Sequence, residues 1–189
     1  MNVFIKHCTK GWHAGMPKVI ENLQERILAC ARVLLLEQGM DGLNIRAVAS
    51  AFGVAVGTVY NYYGSKDQLI ASIMLQDWLQ SMREAAGEVN AAASPSQGLR
   101  AICWGIGRFA GRYRILWLHS GQTRDRSYHD RLIAQLSDLV QVLIARFDLT
   151  QEEAAAEFTA ENLLRLALAG KERYEKEEAL LLRALHKEA

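Results

Sequence analysis

The chain has 189 residues, 50% of them apolar, a formal net charge of +1 and only 3 cysteines. Such a length supports one or two domains with real cores. The balance excludes a polycation that holds nucleic acid by bulk charge, a disulfide-built scaffold and, with no apolar run near the ~18 residues of a span, a membrane-spanning chain. Few, widely spaced cysteines suit a reducing cytoplasm, and abundant Leu and Ala favour helix over sheet.

Residues 1–15, MNVFIKHCTKGWHAG, read as a disordered N-terminal extension, with Met16-Pro17 as an alternative start. His7, Cys8 and His13 fit no metal-ligand spacing, so no metal is expected. Ile20, Leu23, Ile27, Ala31 and Leu34 then step by three and four along one helix face, which Gly39 and Gly42 end. Asn44 is an N-cap for a helix of barely two turns, with Ile45, Val48, Ala49 and Phe52 inward and Gly53 as its stop. A second short helix follows from about Val56 to Tyr62, with Val59 and Tyr63 inward. Ser65-Lys66-Asp67-Gln68 is a capping box for a long helix reaching about Val89, supported by Leu69, Ile73, Leu79 and Met82.

AAASPSQG, residues 91–98, is the best linker candidate. Beyond it, Leu99, Ile102, Cys103, Ile106, Ala110 and Tyr113 share a face, as do Leu132, Leu136, Leu139, Val140, Leu143 and Phe147. Thr150 to Glu153 is a second capping-box candidate, opening a helix with Phe158, Leu163, Leu164 and Leu168. Gly170 interrupts, and a charged last helix carries Leu181, Leu182 and Leu185. The predicted fold is all-α. A helix-turn-helix domain spans residues 16–65, and a helical regulatory and dimerisation bundle spans residues 66–189.

Two short helices crossing at a tight glycine turn present the second helix to a DNA major groove. Val56, Gly57 and Thr58 form its exposed first turn. Gly57 has no side chain to hold the backbone off a phosphate, and Thr58 offers a hydroxyl and a methyl. Tyr60 and Tyr62 carry hydroxyls that can donate to phosphate oxygens, and Asn61 suits either an adenine edge or a backbone contact. Lys66 stands at the first turn of the next helix, where phosphate is favoured. From Gly42 to Lys66 the only charges are Arg46 and Lys66, as expected of a face that meets DNA. Packing of Tyr60 and Tyr62 on a protein is the bland alternative, as is simple solvation for Arg46.

The run from Ile45 to Leu69, IRAVASAFGVAVGTVYNYYGSKDQL, resembles the DNA-binding signature of the TetR/AcrR family of bacterial transcriptional regulators. The match falls on Val48, Ala49, Gly53, Val54, Gly57, Thr58, Tyr60, Tyr63, Lys66 and Leu69. Two positions depart from the pattern: Ala55 stands where the family has a Ser cap, a loss of about 1 kcal/mol of helix stability, and Asn44 stands where it has Thr. The resemblance implies a dimeric repressor, with the last helices, about residues 150–187, pairing and a small apolar or aromatic effector held in the bundle. Double-stranded operator DNA, read as a pseudo-palindrome, is the implied partner.

For the effector, Trp78, Met82, Cys103, Ile106, Tyr113, Trp117 and His119 are the candidate lining, beside Trp104, Phe109 and Tyr128; ordinary core filling is the alternative for each. His119, Cys103 and Asp125 carry no nucleophile motif, so neither an enzyme nor a cofactor is expected. The rival reading is a helical module that binds a ligand or protein and no longer binds DNA.

Overall fold

A computed structural model describes residues 22–119, 126–149 and 152–186. The expectations for residues 1–15, for Thr150 and Gln151 and for the side chains of Trp117, His119 and Tyr128 lie outside those residues. All regular structure among the described residues is helical: α1 (Leu23–Gly42), α2 (Ile45–Phe52), α3 (Val56–Tyr62), α4 (Lys66–Ala91), α5 (Pro95–His119), α6 (Arg126–Phe147), α7 (Glu153–Ala169) and α8 (Lys171–Leu185). The chain divides into two compact units, one through Gln76 and one from Asp77.

In the first unit, α1 buries Ile27, Leu28, Ala31, Leu34 and Leu35. Gly39 takes φ +72°, so the helix breaks and re-forms one turn before Gly42. Asn44 caps α2: its Oδ1 accepts the Ala47 N–H at 2.8 Å. Ile45, Val48, Ala49 and Phe52 are all buried, and the Arg26 guanidinium lies 5.5 Å above the Phe52 ring. Gly53 turns the chain with φ +80°, and the N–H groups of Gly53 and Val54 both donate to the Ala49 carbonyl, at 2.8 and 3.0 Å. No side chain caps α3 at Ala55; its backbone carbonyl accepts from Thr58 N–H at 2.9 Å instead. Ser65 Oγ accepts the Gln68 N–H at 3.1 Å and so starts α4.

In the second unit, α5 to α8 pack against one another around Leu99, Ile102, Ile106, Leu136, Val140, Leu143, Leu163 and Leu185. Residues 91–98 are not a linker. Helix α4 runs to Ala91, Ser94 Oγ accepts the Gln97 N–H at 3.3 Å, and Pro95 opens α5, so the segment is a tight helix-to-helix turn within this unit. Nor does Leu79 join the core: it is 43% exposed. The buried face of α4 here runs through Trp78, Ser81, Met82, Ala85 and Val89. Leu79 lies one residue past Trp78, about 100° around the helix. On α7, Phe158 and Leu168 are 53% and 52% exposed, while Ala156, Thr159, Ala160, Leu163 and Leu166 face inward. Of the apolar residues noted on this helix, Leu163 faces the core while Phe158 and Leu168 face outward.

Polar groups also tie this unit. Glu178 on α8 accepts from Ser96 Oγ, from Arg100 Nη2 at 3.0 Å and from the Tyr174 hydroxyl at 3.4 Å. Burial, and then the Glu178 charge, push the Cys103 thiol up to about 12 and raise the Tyr174 phenol.

Candidate nucleic-acid interface

Helix α3 has two unlike faces. Val59 is fully buried, and Tyr63 just beyond the helix is 4% exposed, its hydroxyl donating to the Gln24 carbonyl at 3.0 Å. Burial raises the Tyr63 phenol above its ordinary range. Tyr60 and Tyr62, by contrast, are 51% and 42% exposed, and Val56, Gly57 and Asn61 are exposed beside them. Thr58 is half-buried. The 3.6-residue period thus separates an anchoring side from a side that presents rings, an amide and a bare backbone to solvent.

Gly57 is informative because no described residue requires it. A Cβ placed there meets no atom within 4 Å. Its φ lies outside the left-handed region, so Ala would be accepted by the backbone. Glycine inside a helix costs about 1 kcal/mol relative to Ala. Among the described residues no close approach offsets that cost, and it is what close approach by an external backbone would explain.

Asn44, Ile45, Arg46, Tyr60 and Lys66 meet around one open surface hollow of about 490 Å³. Four of the residues expected at DNA are thereby brought together at the N-terminal end of α2, with two cationic side chains and no carboxylate in the lining. Two of the four have further roles in the fold. The Asn44 side chain is engaged in capping α2, and Lys66 Nζ donates to the Met40 carbonyl in the last turn of α1. Lys66 therefore places its charge at the hollow while closing the end of α1, a double role its position at the start of α4 did not reveal. Arg46 is exposed.

Residues 27–73 match the family model of bacterial regulatory proteins of the tetR family. Over those residues the chain resembles the DNA-binding region of the tetR family. It is 29% identical over 121 residues to the HTH-type transcriptional repressor KstR of Mycobacterium tuberculosis, 64% of this chain and 54% of that protein. It is 36% identical over 52 residues to the HTH-type transcriptional regulator UidR of Escherichia coli, 28% of this chain and 26% of that one. The chain thus spans about half the length of KstR. The crystal structure of RolR without ligand shares the fold, with a TM-score of 0.63 at 16% identity over 87% of this chain and 91% of that one. So does multidrug binding protein EbrR complexed with malachite green, with a TM-score of 0.59 at 17% identity over 88% and 99%. Both relatives are HTH-type transcriptional regulators by name.

The residues expected to line an effector pocket form a dense wall. Trp78, Met82, Cys103, Ile106 and Tyr113 are buried. The rings of Trp78 and Phe109 meet edge-on at 5.2 Å, and those of Phe109 and Tyr113 at 5.1 Å. Trp104 differs: it is 38% exposed, with Arg100 and Lys171 at 5.6 and 5.8 Å from its ring. A second hollow, of about 420 Å³ between α6 and α7, is lined by none of these residues. Sequence reasoning missed the polar groups set into the wall. Asp77 is 3% exposed and accepts from Arg112 Nη1 at 2.7 Å and from the Tyr113 hydroxyl at 2.6 Å. Trp78 Nε1 donates to Gln135 Oε1 at 2.5 Å. An acid beside a core tryptophan on the inward side of a helix was the available signal.

Proposed function

We propose that this chain is a TetR-family DNA-binding transcriptional regulator, acting as a repressor that a small-molecule effector releases. The observation that carries the reading is the outward face of α3, where exposed Tyr60 and Tyr62 flank a glycine that no internal contact demands. Tyrosine hydroxyls suit phosphate oxygens, Thr58 and Asn61 suit base edges or sugar, and Arg46 and Lys66 supply positive charge beside them. KstR, a repressor by name, supports the direction of control.

The regulator acts as a homodimer. Phe158 and Leu168 on α7 and Leu180 on α8 are each more than half exposed, and the two helices neighbour one another. Exposed large apolar side chains on adjacent helices suit a self-complementary four-helix contact. Two recognition helices about one DNA turn apart then read a pseudo-palindrome. An effector in the bundle releases the DNA only if it binds one spacing of those helices better than the other.

Selection from a random pool of duplexes tests the reading. The expected result is enrichment of a two-fold symmetric site, bound by a species of twice the chain mass. Thr58→Ala and Tyr60→Ala each weaken binding to that site while keeping the parent melting temperature. Failure to enrich any duplex sequence favours the rival, a family member that has lost DNA binding.

A further inference from the structure

The start of α3 has no side chain with which to form a hydrogen bond. Ala55, Val56 and Gly57 are all exposed, Val56 by 37%. None of these residue types carries a side-chain donor or acceptor. The first polar side chain, that of Thr58, is half-buried. What the turn presents outward is therefore methyl groups, those of Ala55 and Val56, beside a glycine at which an added Cβ would meet no atom within 4 Å. One turn further on, Tyr60 is 51% exposed. At four residues from Val56, its ring lies on the same side of the helix. The two side chains form a small apolar edge on a face that is otherwise amide, hydroxyl and bare backbone.

The first residues of a helix docked in a major groove are the ones that reach base edges. Among the four bases, only thymine offers an apolar group there, its C5 methyl. A turn built from Ala55, Val56 and Gly57 can match that methyl by contact, and its side chains can match no donor or acceptor. We propose that Val56 is a specificity-determining residue that reads a thymine C5 methyl group in each half-site. Hydrogen-bonded readout is left to Thr58 and Asn61, further along α3. The inference rests on the DNA reading proposed above and deepens it, since it names the base and the group on that base. It also has a chemical corollary: at that position the methyl counts and the hydrogen-bonding edge does not. A 5-methylcytosine, which keeps the methyl but exchanges thymine's O4 acceptor for an amino donor, should then substitute better than cytosine does.

Anisotropy titration of the full chain with its selected duplex tests this, with thymines replaced by deoxyuracil one symmetric pair at a time. Deoxyuracil removes the C5 methyl and keeps every hydrogen-bonding group. At one thymine the replacement weakens binding by the parent about fourfold per half-site, or roughly fifteenfold for the pair, the worth of burying one methyl twice. In Val56→Ala, checked by thermal melting to be folded, the same replacement costs less than about twofold. At that position 5-methylcytosine is bound more tightly than cytosine by the parent and equally by Val56→Ala. An enriched half-site without thymine, a duplex indifferent to deoxyuracil at every position, or an equal penalty in Val56→Ala overturns the proposal. Any of those results leaves the DNA reading standing, because a duplex is still bound. A chain that enriches no duplex at all overturns both.

Discussion

The first turn of α3 and the crossing of α5 with α6 each hold a glycine within a helix, and the two are there for opposite reasons. At Gly98 an added Cβ would lie 2.1 Å from Leu143 Cδ1, in a region where Leu143 is fully buried. At Gly57 an added Cβ would meet nothing within 4 Å. Gly98 lets two helices of one unit approach. Gly57 leaves open space that no described residue fills. The same residue type at comparable helical positions therefore separates fold from function once its surroundings are known. The contrast extends to the aromatic rings: those of Trp78, Phe109 and Tyr113 spend their surface on one another, while those of Tyr60 and Tyr62 spend theirs on solvent.

Substitution at interior and outward positions should split in the same way, and the interior effects are larger. Phe52→Ala empties a position that is 5% exposed beneath the Arg26 guanidinium. Such a change costs roughly 3–5 kcal/mol, read as a lower urea midpoint and loss of the first unit's helical signal. An unchanged midpoint would show that Phe52 is not a core residue of α2. Gly98→Ala forces Leu143 out of its rotamer or α5 away from α6, at about 1–3 kcal/mol, again by urea titration. A neutral result there would remove one side of the contrast.

A smaller effect concerns pH. The Cys103 thiol ordinarily ionises near 9.0 and is pushed up to about 12, first by burial and then by the Glu178 charge. The folded state holds the neutral thiol, so stability is whole below pH 9.0 and is lost as pH climbs toward 12. Tyr63 and Tyr174 are raised in the same sense. Urea midpoints at about pH 8 and about pH 11 should fall, and Cys103→Ala should shallow that fall without removing it. An identical fall in the variant would place the alkaline sensitivity elsewhere.

Much of the first unit was legible in the sequence because its devices are local. The Asn44 cap acts on Ala47, the Ser65 cap on Gln68, and the Gly53 turn closes on Ala49. Each is written within four residues, and the 3.6-residue period then decides which tyrosine is buried and which is not. The second unit was legible only in outline. Asp77 finds Arg112 across 35 positions, Trp78 finds Gln135 across 57 and Arg100 finds Glu178 across 78, and no local pattern selects those partners. The outward turn of Phe158 and Leu168 was hidden for another reason. Helix α7 carries alanine and leucine on several sides, so spacing alone does not say which side the bundle covers. Lys66 shares the surface hollow with Tyr60, and its tie to Met40 was not legible because it depends on where α1 ends in space.

The most direct measurement is a Gly57→Ala variant carried through thermal melting and anisotropy titration of its selected duplex in parallel. The account predicts a first unit stabilised by up to about 1 kcal/mol, since alanine is the better helix former and meets no neighbour, together with duplex binding weakened at least tenfold. A variant that is more stable and binds duplex as well as the parent would contradict the claim that the outward face of α3 meets DNA.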